Sequence, residues 1–200
     1  MLHLSEKAVG IIDLSVRRVS PAEAQRQVRH WREMLYAVRH SPLSLRIDST
    51  LRGPIGALVQ EVLAGEPEAG VIFAPAFPES GRTTLDGRHF LDGQPIMQTE
   101  IAHDPWGPVQ TDDLRQLLHS HLDEDVALLP LPLIRLGAVA IATVLDRLPG
   151  RVVTVDAEIN ADLAAIAEAM CLVKQRQWIP VDAGPLSAMW AFENLCPPRS

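Results

Sequence analysis

The run Leu43-Ser-Leu-Arg-Ile-Asp-Ser-Thr-Leu-Arg-Gly-Pro-Ile-Gly-Ala-Leu-Val-Gln-Glu-Val-Leu-Ala-Gly65, and then Gly70-Val-Ile-Phe-Ala74, passes from strand pattern to helix pattern and back. Leu43 to Ile47 reads as a short apolar strand. Gly53 to Leu63 reads as a helix closed by Gly65, and Gly70 to Ala74 as a second apolar strand. Strands apolar on both faces, joined by helices, require a mainly parallel sheet covered on both sides.

The same rhythm extends outward. Upstream, Ala8 to Asp13 reads as a strand. Ser20-Pro21 with Glu23 is an N-cap, a first-turn proline and a capping-box partner for a helix to about His40. Downstream, the predicted elements are helix Thr111 to Leu122, strand Val126 to Leu129, helix Leu136 to Leu148 and strand Val152 to Asp156. Helix Asn160 to about Gln175, strand Trp178 to Asp182 and helix Gly184 to Leu195 follow. Between Thr83 and Gly93 two Asp-Gly pairs punctuate short alternating runs, which predicts an antiparallel hairpin over residues 83–97. The expected fold is therefore α/β: a three-layer domain with a mainly parallel sheet and a small hairpin insertion. With no repeat or long linker, residues 1–200 read as one domain.

Composition narrows the function. There are 18 Lys+Arg against 25 Asp+Glu, a formal net charge of -7, which lacks the broad basic footprint of a nucleic-acid binder. Lys7 and Lys174 are the only lysines, a bias that reads mainly as genome composition, although arginine is also the better fork for carboxylate or phosphate. Two cysteines build neither a disulfide framework nor a four-cysteine zinc site. Val126 to Val144 is almost uncharged, but Pro130, Pro132 and Arg135 mark it as strand, turn and buried helix rather than a membrane span. A signal-peptide core is not evident, so the expected compartment is the cytoplasm.

Ligands of open α/β sheets collect beyond the carboxyl ends of the strands. Asp48, Ser49, Thr50, Arg52 and Gly53 follow the strand at Leu43. A helix N-terminus beside them suits an anion, and Arg52 can grip a carboxylate through two nitrogens. The same hydroxyls can instead cap the helix. Gly81-Arg82-Thr83 follows the next strand, and His103-Asp104-Pro105 offers a ligand contact or an Asx turn. The two loops leave consecutive strands, and the crossover helix between them is expected to set those strands close together. Asp48, Ser49, Arg52 and Arg82 should then share one cleft. His119 and His121 point to different helix faces and predict no metal site. There is no phosphate-loop, dinucleotide-binding or nucleophile-elbow motif.

The run Arg46-Ile-Asp-Ser-Thr-Leu-Arg-Gly-Pro-Ile-Gly56 resembles the Lys-[Ile/Val]-Asp-Ser-Thr-Leu-Arg-Gly-Asn-Ile-Gly motif of the four-carbon acid sugar kinase family. Ala74-Pro-Ala-Phe-Pro78, Gly81-Arg-Thr-Thr84 and Thr99 to Pro105 are similar to its next motifs, in the same order. Asp13 to Pro21 resembles an earlier Asn/Asp-Thr-x-Ser-Arg segment, and Trp178 to Met189 resembles one with a Gly-Ser-Ala-Gly-Leu core. The resemblance implies the N-terminal, sugar-acid-binding domain of an ATP-dependent kinase acting on threonate, erythronate or oxo-tetronate. It implies substrate binding through Asp13, Arg17, Arg46, Asp48, Ser49, Thr50, Arg52, Gly53, Arg82, Thr83 and Asp104, and assigns no catalytic residue.

Departures qualify that expectation. Arg46 replaces the family lysine, Val16 a serine, and Asp182-Ala-Gly-Pro185 the Gly-Ser-Ala-Gly core. The family's opening Asp-Asp-x-Thr-Gly-Ala motif and its ATP domain are not in these 200 residues. ATP and Mg are expected for the full family enzyme and neither is expected to bind this chain alone. The chain then reads as a fragment or one subunit of a split enzyme, partnered by a small sugar-acid carboxylate and by a separate ATP-binding domain or a second copy. The alternative is a degenerate, non-catalytic module that binds a small acid or a partner. Neither nucleic acid nor a membrane is an expected partner.

Overall fold

The computed structural model describes residues 10–37, 43–105 and 107–195. Its helices are α1 (Pro21–Ala37), α2 (Ile55–Gly65), α3 (Leu114–His119), α4 (Leu131–Ile134), α5 (Ala138–Leu145), α6 (Asn160–Leu172) and α7 (Pro185–Leu195). Its strands are β1 (Leu45–Arg46), β2 (Gly70–Ala74), β3 (Arg82–Leu85), β4 (Arg88–Leu91), β5 (Gln94–Pro95), β6 (Val126–Leu129), β7 (Val152–Val155) and β8 (Trp178–Asp182). Five strands form a parallel sheet in the order β1-β8-β2-β7-β6, and β3-β4-β5 form a small antiparallel sheet.

Side chains alternate across the parallel sheet and divide the core in two. Val71, Phe73, Val152, Ile179 and Val181 pack with α2 and α3 on one face. Ile72, Ala74, Val153, Val155 and Trp178 pack with α5, α6 and α7 on the other. This is the three-layer α/β arrangement expected from the sequence. A buried carboxylate, Glu61 of α2, joins α1 to this core: it accepts from Arg29 at 2.7 and 2.9 Å and pairs with Arg32 at 3.2 Å. Removing its charge from water is offset by these charge-assisted hydrogen bonds.

Both Asp-Gly pairs form hairpin turns. Asp86 and Gly87 have φ of 51° and 71°, and Asp92 and Gly93 have 50° and 78°. Positive φ at both central residues is the tight hairpin geometry that Asp-Gly favours. The small sheet is anchored to the large one by Thr84, which exchanges backbone hydrogen bonds with Ala157 at 2.9 and 3.0 Å.

Several expectations are corrected. Gly10 to Asp13 is not a strand; Asp13 accepts the Ser15 N–H at 2.8 Å in a turn, and residues 8–9 of that expected strand lie outside the described residues. The end of α1 beyond residue 37 also lies outside them. Helix α3 starts at Leu114 rather than Thr111 because Asp113 caps it, accepting from the Arg115 and Gln116 N–H groups at 2.9 and 3.1 Å. The helix expected from Leu136 to Leu148 is shortened to α5, because Gly137, with a φ of 92°, leaves the helical region and caps its start, and the stretch expected to be a proline-rich turn before it holds the short helix α4. The strands β1 and β2 are not neighbours. Strand β8 lies between them, hydrogen-bonding to both. Gly70 makes room for it, since a Cβ there would stand 2.6 Å from the Trp178 ring. Among the described residues no helix is long and apolar enough to cross a membrane.

Candidate functional site

At the carboxyl end of β1 the chain turns at Asp48, whose carboxylate becomes the centre of an ion-pair cluster. Arg17 reaches it at 2.7 Å and Arg52 at 3.1 Å. The other arm of Arg52 meets Asp104 at 2.9 Å. Thr50 donates to Asp48 from its backbone at 2.8 Å and from its hydroxyl. Burial pushes the Asp48 carboxyl up, but the Thr50 and Arg52 hydrogen bonds outweigh it and hold the group below the usual carboxylate range. Asp104, with Asp48 behind it, raises Arg52 further above its already high value. Three distant segments thus converge, at residues 17, 48–52 and 104. Neither Ser49 nor Thr50 caps α2, which has no side-chain cap.

The loop is held in a conformation that short-range preference does not supply. Leu51 has a φ of 62°, uncommon for a residue with a branched side chain, and its side chain is buried. Gly53 has a φ of 97°, and a Cβ on it would stand 3.3 Å from the Arg17 backbone. That close approach is what lets the residue 17 segment lie over the loop. A groove of about 290 Å³, lined by Arg17, Arg18, Gly53, Pro54, Pro108 and Gln110 among others, opens beside it.

The remaining expected residues fall around this cluster unevenly. Arg82 opens β3 and donates to the Ser80 carbonyl, while its Nε is buried without a hydrogen-bond partner among the described residues. Arg46 ends β1, and its guanidinium lies 3.1 Å from where a Cβ on Gly184 would stand, over the start of α7. Neither Arg46 nor Arg82 has a carboxylate partner among the described residues, whereas Arg17 and Arg52 do. Thr83 is half-buried opposite Phe90 in the small sheet. Asp13 is exposed, with its carboxylate accepting from Ser15.

Three residues outside the expected set shape the same edge. His89 is fully buried and contacts the Ser49 carbonyl through Nε2 at 2.9 Å. Asp182 ends β8 between the two loops. One of its oxygens accepts the Gly184 and Ser187 N–H groups at 2.8 and 3.1 Å, and the other is buried without a partner among the described residues. Burial raises its carboxyl above the ordinary value, against those hydrogen bonds. Asp156, just past β7, accepts the N–H groups of Asp86, Gly87 and Leu131 at 2.9, 2.9 and 3.0 Å. A textual signal did exist: Leu-Arg-Ile-Asp48, Val-Thr-Val-Asp156 and Ile-Pro-Val-Asp182 each carry an apolar strand straight into an aspartate. Among the described residues no group of three or more His, Cys, Asp or Glu is placed to hold a metal ion.

A parallel three-layer sheet with its charged loops gathered at the carboxyl edge defines an α/β ligand-binding domain. The chain belongs to the family described as the sugar-binding N-terminal domain, which matches residues 2–190. It is 30% identical over 187 residues to a D-erythronate kinase of Heliobacterium modesticaldum, covering 92% of this chain and 42% of that protein. It is 37% identical over 171 residues to a D-threonate kinase of Cupriavidus necator, covering 83% of this chain and 40% of that protein. A crystal structure from Bordetella bronchiseptica, a domain-swapped dimer with bound citrate, superposes with a TM-score of 0.77 at 29% identity, covering 88% of this chain and 43% of that one. A Haemophilus influenzae structure superposes at 0.80 with 21% identity, covering 90% of this chain and 44% of that one, a likeness of fold. The chain spans less than half the length of these relatives. The resemblance read from the ordered motifs is thereby borne out at the level of the family.

Proposed function

We propose that this chain is the acid-recognition domain of a four-carbon acid sugar kinase, a single domain that holds the sugar acid at the carboxyl edge of the sheet. The observation that carries the reading is the cluster of Arg17, Asp48, Arg52 and Asp104, drawn from three segments to that edge. Its internal charges cancel in pairs, so its role is to present fixed acceptors and donors to hydroxyls. The carboxylate of the ligand is matched by Arg46 and Arg82, whose charges are not balanced by a carboxylate among the described residues. Ser49, Thr83 and the backbone at Gly53 complete the surroundings of the ligand. Asp13, turned to Ser15, acts only through the approach of the residue 17 segment.

Phosphoryl transfer rests on positioning and on charge stabilisation around the nucleotide and its metal. In this reading ATP and Mg²⁺ are supplied by a nucleotide-binding domain acting with this one, in the cytoplasm. The citrate-bound, domain-swapped Bordetella dimer supports both an acid ligand and self-association. The test is titration calorimetry of the folded chain with D-threonate, D-erythronate and citrate, without ATP. At least one acid should bind, Arg82→Gln should weaken it tenfold or more with the fold intact, and the chain alone should not turn over ATP with either sugar acid. A folded chain that binds none of the three contradicts the reading.

A further inference from the structure

His89 lies in β4 at full burial, yet both of its ring nitrogens meet a polar group. Nε2 lies 2.9 Å from the Ser49 carbonyl and Nδ1 lies 3.3 Å from the Thr84 hydroxyl. A carbonyl oxygen only accepts, so Nε2 carries the proton. In a neutral ring Nδ1 is then the acceptor, and the Thr84 hydroxyl donates to it. Burial lowers the imidazole to about 4, against the Ser49 hydrogen bond, with the nearby Arg82 charge lowering it further. The ring is neutral at physiological pH, in agreement with the geometry.

Each end of this bridge is fixed to something different. Thr84 is fully buried and tied to Ala157, at the end of β7, by two backbone hydrogen bonds. The adjacent Asp86-Gly87 turn is held by Asp156. Ser49 belongs to the loop that carries Asp48 and Arg52, and Leu51 in that loop adopts a left-handed conformation. A residue in a sparsely populated backbone region persists only where its surroundings hold it. The only side-chain hydrogen bond to the Ser49 carbonyl among the described residues comes from His89.

We propose that His89 is a positioning residue for the acid-binding loop. As the Nε2–H tautomer it donates to the Ser49 carbonyl and, through Thr84, ties residues 48–52 to the small sheet and to the end of β7. The ligand-binding consequence rests on the function proposed above, but the positioning itself is measurable without ligand. Two variants separate role from packing: His89→Leu keeps volume and removes the donor, and His89→Gln returns an N–H near the position of Nε2.

The experiment is nuclear magnetic resonance on the intact chain. The imidazole nitrogens should report the Nε2–H tautomer. Amide exchange at Thr50 and Leu51 should quicken at least tenfold in His89→Leu and stay within about threefold of the parent in His89→Gln, while Phe73 and Val153 in the sheet are unchanged. An Nδ1–H tautomer, or loop exchange unaltered in a folded His89→Leu, overturns the proposal. If His89→Leu does not fold, the tautomer and the His89→Gln exchange decide it. Where the parent binds D-threonate, D-erythronate or citrate, affinity should fall tenfold or more in His89→Leu and recover in His89→Gln. If the parent binds none of them, the functional reading fails and the exchange result stands by itself.

Discussion

Asp48 and His89 sit on either side of Ser49 and respond to acid in different windows. His89 has a folded pKa of about 4, below the roughly 6.5 of an exposed histidine. The unfolded chain therefore takes up this proton first, and stability is lost as pH falls from about 6.5 toward 4, at about 1.4 kcal/mol per unit. Asp48 is held low by Thr50 and Arg52 against its burial. Its contribution is present above the ordinary carboxylate pKa near 4 and is lost as pH falls through the lower folded value. Asp156 and Asp182, raised by burial, act in the opposite sense: their contribution is full below the ordinary value and is lost as pH rises through the raised one. Comparison with variants isolates each group. Urea unfolding from pH 7 to 3 should show His89→Gln losing the pH dependence above 4 that the parent has. Asp48→Asn should lose the steepest part below 4 and cost about 1.5–3 kcal/mol at pH 7, the range for hydrogen bonds to a charged group. An unchanged slope above pH 4 in His89→Gln would contradict the buried neutral ring. Asp48 and Arg52 were legible in the sequence because a motif and a loop position coincide there. His89 was not, because a histidine in an alternating hairpin run gives no sign of a carbonyl 40 residues away in sequence.

At the scale of elements, Asp156 joins the small sheet to the large one. It satisfies three N–H groups, those of exposed Asp86 and buried Gly87 in the turn and that of buried Leu131 at the start of α4. Asp156→Ala leaves all three without an acceptor, and each unmet buried donor costs roughly 1–3 kcal/mol. The variant should lose about 3 kcal/mol or more in urea unfolding, with Asp156→Asn intermediate. A loss under about 1 kcal/mol would show that the hairpin is held by its own turns instead. Those turns were readable from the sequence, since two Asp-Gly pairs dictate their backbone locally. The buried strands were readable too, from their apolar runs. Helix bounds were less so: Asp113 rather than Thr111 caps α3, and Gly137 delays the start of α5 to Ala138.

For the molecule as a whole, the three layers follow from local pattern, but the order of strands does not. Strand β8, more than 100 residues from β2 in sequence, takes the place between β1 and β2. Its position is fixed by packing, Trp178 against Gly70, which no local signal records. The consequence reaches the site: Asp182, which is not among the expected binding residues, ends between the Asp48 loop and the loop that follows β2. In the proposed function a small acid binds along this edge. The most direct measurement is a ¹H–¹⁵N correlation spectrum of the whole chain titrated with D-threonate, D-erythronate and citrate. Saturable shifts are expected, concentrated at Thr50, Leu51, Gly53, Arg82 and Gly184. Shifts confined to α1 or to the outer face of α5, or a spectrum unmoved by all three acids, would contradict it.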